Sequence, residues 1–199
     1  MCDKNAKTVS DVYPYSALLK EFGPKLGKRR RWLVTGAAGI RRLIASTYQA
    51  VSGAGKAGLE ELQDQTRAWV RGEEPKVSAF AYPIAFNLIP HIDAFTENGY
   101  TKEELKMRNE SRKILHAPEL RVSCTCVRVP VLRSHSEALT IETERPLTPD
   151  EARELLRNAP GVKVVDEPSL KRYPMPLDTS DQDLIYAGRI RVDESAEGN

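Results

Sequence analysis

The chain has 199 residues, 40% of them hydrophobic and 29% charged, and a formal net charge of +2 from 30 basic and 28 acidic side chains. That is enough for one sizeable domain or two small ones, and the near-balance of charge gives no general attraction to nucleic acid or to a membrane surface. No apolar run approaches the roughly 20 residues that cross a bilayer, the polar start Met1–Ser10 lacks a signal-peptide core, and the three cysteines, Cys2, Cys124 and Cys126, exclude a disulfide framework and point to a reducing, cytoplasmic setting.

The first element with chemical content is the basic run Lys28–Arg31 beside Trp32. It reads as a solvated basic turn, with phosphate binding as the alternative. Leu33–Gly39, L-V-T-G-A-A-G, has the glycine turn of a dinucleotide-binding strand, but Arg42 occupies the place of the glycine that lets the helix pack closely. Gly39 is therefore read as a helix stop before a strand, Arg41–Tyr48. Ser46–Gly58 follows, rich in small residues. A P-loop fails there because Ala50 and Ala57 stand where Gly and Ser or Thr are required. What remains is a strand that turns into a helix over roughly Gly55–Arg71, stopped by Gly72, with Leu59, Leu62, Thr66, Trp69 and Val70 on its inner face. Such a turn lets a ligand approach backbone N–H groups, and Gln49 ends the strand with a two-way hydrogen-bonding amide.

Ser78–Phe95 is the most apolar region. Pro83 and Pro90 divide it, so it is expected to be buried but irregular, with His91 a structural histidine. Thr101–Leu115 is a helix opened by the capping box Thr101/Glu104, with Leu105, Ile114 and Leu115 inward. Glu103 and Lys106, three apart, read by themselves as an ion pair on a solvated face. Arg121–Glu144 alternates at both ends, with Val122, Cys124 and Cys126 and then Leu139, Ile141 and Thr143 marking strand faces. Its centre breaks the pattern with Arg128, Pro130, Arg133, His135 and Glu137. Pro130 cannot donate to a ladder, so the chain must bulge or run at an edge, and we read Arg128 and His135 as aimed at a small anionic ligand. Cys124 and Cys126 form one close pair with no second pair to complete a zinc site, so no metal is expected. Thr148–Asn158 is a second capped helix with Pro149 at its first position. A strand at Val162–Asp166, an extended loop at Tyr173–Leu177 and a last strand at Leu184–Val192 close the chain.

These residues carry a resemblance. S-T-Y-Q-A-V-S-G-A-G at Ser46–Gly55, F-N-L-I-P-H-I-D at Phe86–Asp93, T-K-E-E-L-K-M at Thr101–Met107, C-V-R-V-P-V-L-R-S-H-S-E at Cys126–Glu137 and G-R-I-R at Gly188–Arg191 stand in the order found in aspartate-semialdehyde dehydrogenases. From about Gly39 to Asp193 the chain resembles their substrate-binding and dimerisation domain. The resemblance implies an α+β fold, a mixed sheet with helices on one face, shared with the C-terminal domain of glyceraldehyde-3-phosphate dehydrogenases. Residues 1–38 are set apart as a non-matching segment, and 39–199 as that domain. It also implies the NADPH-dependent reductive dephosphorylation of L-aspartyl 4-phosphate to L-aspartate 4-semialdehyde, a step of amino-acid biosynthesis that passes through a cysteine thioester.

By that resemblance His135 is the acid/base residue, Arg128 grips the substrate carboxylate by a two-pronged contact, and Gln49 orients the substrate. Glu103 faces the substrate ammonium, Lys106 the phosphate, and Ser52 and Gly53 approach the cofactor NADP. The partners implied are the small-molecule substrate and a second copy of the chain, with neither nucleic acid nor membrane. The family nucleophile belongs to an Asn-Cys-Ser-Thr segment shortly before the Gln49 strand, and Leu19–Lys25 has no cysteine. The expectation is a partial chain, inactive alone, which grips substrate without supplying the thiol. A non-catalytic dimerisation module is the alternative, and a nucleic-acid binder through Lys28–Trp32 a third.

Overall fold

The computed structural model describes residues 38–196, so Cys2, the run Lys28–Arg31 and most of the glycine turn Leu33–Gly39 lie outside them. The sheet is built around β1, Ile40–Gln49, whose residues Leu43, Ala45, Thr47 and Gln49 are buried while Arg41, Arg42 and Tyr48 are exposed. That period of two is the signature of a strand with one covered face. β2, Arg121–Arg128, pairs parallel with β1 on one side, and β3, Ser136–Thr143, pairs antiparallel on the other. Mixed pairing has a geometric consequence: the C-terminal ends of β1 and β2 and the N-terminal end of β3 all reach the same edge of the sheet.

Between β1 and β2 the chain makes two helices, α1 at Gly55–Val70 and α2 at Lys102–Ile114. α2 packs on β2, and Met107 joins Ala45, Ile92, Cys124 and Cys126 in a core on the covered face. The expected capping box is present: the Thr101 hydroxyl accepts from Glu104 N–H, and Glu104 Oε2 accepts from Thr101 N–H at 2.8 Å. The other oxygen of Glu104 accepts from Cys126 N–H at 3.0 Å, so one buried carboxylate ends the helix and ties it to the sheet. A second core, Val51, Leu62, Ile84 and Ile89, holds α1 against the irregular stretch 78–95. The α+β architecture with a mixed sheet is as the resemblance implied.

Beyond β3, α3 at Pro149–Arg157 packs on a two-stranded parallel sheet of β4, Val162–Val164, and β5, Ile185–Ala187. The Thr148/Glu151 capping box with Pro149 in the first turn is as expected. Arg153 on α3 donates to the buried Asp166 at 2.8 Å and to the Ile190 carbonyl at 2.7 Å, which fixes the returning chain.

Several details differ from the sequence reading. The inner face of α1 is Gly58, Glu61, Leu62, Gln65 and Ala68, while Trp69 and Val70 are exposed. Glu61 and Gln65 are drawn inward because they satisfy loop backbone: Gln65 Oε1 accepts from Ile84 and Ala85 N–H at 2.7 and 3.0 Å, and Glu61 Oε2 accepts from Ser78 N–H at 3.1 Å. The stretch 78–95 is irregular, but Tyr82, Phe86 and Leu88 are exposed and only Ile84, Ile89 and Ile92 are buried. On α2 the buried residues are Glu103, Glu104, Met107 and Ser111, with Leu105, Ile114 and Leu115 half-buried. Leu139 is exposed because β3 is an edge strand that α2, seated on β2, does not cover. Pro130 makes no bulge within a strand; β2 ends at Arg128 and Pro130 lies in the connection to β3. Leu177 belongs to a short helix, α4 at Pro176–Thr179, and the last strand is three residues long.

Candidate active site

The shared edge is where the sequence-predicted residues meet. Gln49 ends β1, Arg128 ends β2 opposite it in register, and His135 immediately precedes β3. The connection 129–132 runs beside the end of β1: Val129 N–H donates to the Gln49 carbonyl at 3.0 Å, Val51 N–H to Val131 at 2.9 Å, and Ser52 N–H to Leu132 at 3.1 Å. On the outer side, Arg128 and Ile89 exchange both backbone hydrogen bonds, at 2.9 and 3.0 Å. Both neighbours of Arg128 are thus fixed by backbone pairing, which aims its side chain before any ligand arrives.

Ala50 joins the two principal side chains. Its N–H donates to His135 Nδ1 at 3.1 Å, and its carbonyl accepts from Arg128 Nη1 at 2.8 Å. The guanidinium carbon lies 6.0 Å from the centre of the Phe80 ring, within range of a cation–π contact. On the other side, a Cβ added to Gly53 would stand 2.7 Å from Arg128 Nη1, so glycine is what leaves room for the guanidinium. Burial, assisted by the Arg128 charge, lowers the His135 pKa to about 4, so the imidazole is neutral near pH 7.

Two buried glutamines show which groups belong to the scaffold. Gln65 has both ends of its amide satisfied, by Ile84 and Ala85 N–H on the oxygen and by Glu61 Oε1 and the Lys76 carbonyl on the nitrogen. Gln49 is as deeply buried, at 1% exposure, yet neither its Nε2 nor its Oε1 has a hydrogen-bond partner among the described residues. Leaving a buried polar group unpaired costs about 1–3 kcal/mol, so a fold that does so at the end of its central strand has a use for it. Glu103 Oε1 on α2 is unpaired in the same way, while Thr47 Oγ1, two residues before Gln49 on the same face, lies against the Cys126 thiol.

Glu103 is buried, not on a solvated face as its spacing alone predicted, and its Oε2 is 3.9 Å from Lys106 Nζ. It lies on α2, which packs on β2, and its charge acts on the thiol of Cys126, the register partner of Thr47. Ser52 and Gly53 lie in a single 3-10 turn, Val51–Ala54, at the mouth of α1. Their N–H groups are already held, by the Leu132 and Ala50 carbonyls, so the turn offers the Ser52 side chain and the open Gly53 backbone, not those two donors. Cys124 and Cys126 approach to 3.6 Å beneath α2, and the shared hydrogen and burial push the Cys124 thiol well above its usual range. Neither is placed as a nucleophile. Among the described residues no cluster of three or more metal-ligating side chains occurs, and no helix is long and apolar enough to cross a membrane.

No motif in the sequence marks Ala50, Thr47 or Phe80, whereas Glu104 stands out as the acid of the capping box. Alternation puts Thr47 on the buried face, where a hydroxyl is a usable signal; nothing about an alanine announces that both its peptide groups hold the side chains of His135 and Arg128.

An α+β domain with a polar, partly unsatisfied edge formed by three strand ends is the class of structure defined here. Residues 33–198 match the family described as semialdehyde dehydrogenase, dimerisation domain, and the chain belongs to it. It is 54% identical over 161 residues to the aspartate-semialdehyde dehydrogenase of Aquifex aeolicus, covering 80% of this chain and 47% of that protein. It is 53% identical over 156 residues to that of Campylobacter jejuni, covering 77% and 45%. Among solved structures, aspartate semialdehyde dehydrogenase II from Vibrio cholerae, complexed with ASA, superposes with a TM-score of 0.80 at 36% identity, over 96% of this chain and 59% of that one. The chain thus spans about half the length of the relatives it matches.

Proposed function

We propose that this chain is the substrate-gripping and dimerisation part of an aspartate-semialdehyde dehydrogenase, which converts L-aspartyl 4-phosphate to L-aspartate 4-semialdehyde. The observation that carries the proposal is the convergence of Gln49, Arg128 and His135 at one sheet edge, the last two tied to the same Ala50 peptide. Arg128 takes the substrate α-carboxylate, and its fixed fork sets the direction of the carbon chain. Glu103, buried and with one oxygen unpaired, takes the α-ammonium, and Lys106 beside it takes phosphate. Gln49 Nε2 donates to the oxygen of the reacting carbonyl group, and His135 at the same sheet edge serves proton movement. Ser52 and the open backbone of Gly53 would face the NADP(H) cofactor, whose reduced form, NADPH, would supply the hydride. Cys124 and Cys126, the cysteines among the described residues, lie under α2 in the core, so the acyl-carrying thiol is neither of them, and this chain by itself is expected not to turn over.

Dimerisation is supported by the family description and by the uncovered face of the sheet. That face presents Ser46, Tyr48, Ser123, Thr125 and Ala138, small side chains around one exposed tyrosine, suited to close packing against a second copy. A module that only dimerises is the second reading, and the same face favours it. Its free, buried thiols fit the cytoplasmic setting that we assign to the chain.

Titration of this chain with aspartate semialdehyde tests the ligand assignment. Binding is expected to be saturable and to weaken at least about tenfold in Arg128→Lys, which keeps the charge and loses the fork. Equal affinity in the two proteins would remove Arg128 from the site and leave the dimerisation module.

A further inference from the structure

We infer that the Ala50 peptide is a positioning group that holds His135 in the tautomer with its proton on Nε2, so that the site presents to its ligand a neutral N–H donor. The inference deepens the proposed function and rests on it only for the identity of the ligand.

The argument begins with hydrogen-bond direction. A backbone N–H can only donate, so His135 Nδ1, 3.1 Å from Ala50 N, must be the acceptor and carry no hydrogen. A neutral imidazole with a bare Nδ1 carries its proton on Nε2. The donor is not free to swing away. Ala50 is fully buried, the Gln49 carbonyl before it is bonded to Val129 N–H, and its own carbonyl is held by Arg128 Nη1 at 2.8 Å and by Gly53 N–H at 3.2 Å. Charging the ring would set an Nδ1–H against the Ala50 N–H and an imidazolium beside the Arg128 guanidinium. Burial and that charge already hold the titration near 4, and the main-chain donor acts in the same direction.

The consequence is a restriction on chemistry. With Nδ1 occupied, His135 cannot accept a proton there without giving up the Ala50 bond, and Nε2 already carries one. In the resting chain it is a hydrogen-bond donor to a developing oxyanion, not a base. It becomes a base only when Nε2 has lost its proton or when the Ala50 contact has opened.

The test is long-range hydrogen–nitrogen correlation on the 15N-labelled 199-residue chain, with the His135 signals assigned by their loss in His135→Gln. The expected spectrum shows Nδ1 unprotonated and Nε2 protonated from pH 8 down to pH 5, with charging only near pH 4. In Arg128→Met the titration is expected to move up toward the ordinary value while the tautomer above it stays the same. A proton on Nδ1, averaging between tautomers, or a tautomer that changes with Arg128→Met would overturn the inference. None of these readouts needs substrate, so a failure to bind aspartate semialdehyde would count against the proposed ligand and not against the tautomer.

Discussion

Glu137 and His135 stand two residues apart at the start of β3 and respond to pH in opposite senses. Burial raises the Glu137 carboxyl to about 7, so the folded chain keeps it protonated where an unfolded chain, at 4.5, ionises it. The stability linked to Glu137 is fully present below pH 4.5 and is lost as pH rises through 7. His135, lowered to about 4 from 6.5, contributes fully above pH 6.5 and loses that contribution as pH falls through 4. Glu137→Gln removes the cost of ionising a buried carboxyl and keeps its shape. It is expected to raise the melting temperature at pH 8, by at most about 3 kcal/mol of stability, and to leave it nearly unchanged at pH 4. Equal effects at both pH values in a thermal melt would show that the carboxyl is ionised in the fold. At this scale the sequence was informative wherever a residue broke its local pattern. Arg128 and His135 interrupt an alternating stretch, and both sit at the site edge. Glu103 and Lys106 conform to ordinary helix-surface spacing, so only the family resemblance singled them out; Ala50 acts through its backbone, which side-chain identity does not encode.

Elements are placed by polar side chains as much as by apolar ones. Glu104 closes the first turn of α2 and bonds β2; Glu61 and Gln65 fasten α1 to the chain at 78–85. Capping boxes follow local spacing rules, so both capped helices were legible with their starts in place. The inner face of α1 was not, because a hydrophobicity pattern assigns Glu61 and Gln65 to solvent and Trp69 to the core. Gly58 shows the same limit of local rules. Alanine is favoured over glycine in a helix by about 1 kcal/mol, yet a Cβ there would stand 2.6 Å from the Val51 carbonyl, 2.8 Å from Ala54 Cβ and 3.0 Å from the Phe80 ring. Two of those three neighbours belong to the turn that carries Gly53 against Arg128. Gly58→Ala is therefore expected to destabilise the chain, by about 1–3 kcal/mol, in denaturant titration. A stabilised variant would mean that the turn yields and that propensity wins.

For the whole molecule, mixed pairing and one covered sheet face set the outcome. α2 closes the face that carries Cys124, Cys126 and Thr47, and the opposite face is left with small side chains beside Tyr48. Near the far end of the strands Asp193, Ser195 and Ala196 border a cavity with Arg42, Ile44, Thr140 and Glu142, so the returning chain approaches that part of the face. Sedimentation is expected to show a dimer, and Thr125→Arg, which places a charge on the open face, is expected to give a monomer with unchanged secondary structure. A wild-type monomer, or a dimer indifferent to Thr125→Arg, would place the contact elsewhere. The strand order behind this face could not be read from the sequence, since period-two patterns mark strands and not their neighbours.

The central claim is that Gln49, Arg128 and His135 serve one aspartate-derived ligand. The most direct measurement follows the side-chain amide resonances of Gln49, unpartnered in the resting fold, while the chain is titrated with aspartate semialdehyde. The account expects a saturable shift of the Gln49 amide together with the His135 ring, absent in Arg128→Ala. A saturable response that leaves Gln49 and His135 unmoved, or one that persists in Arg128→Ala, would contradict it.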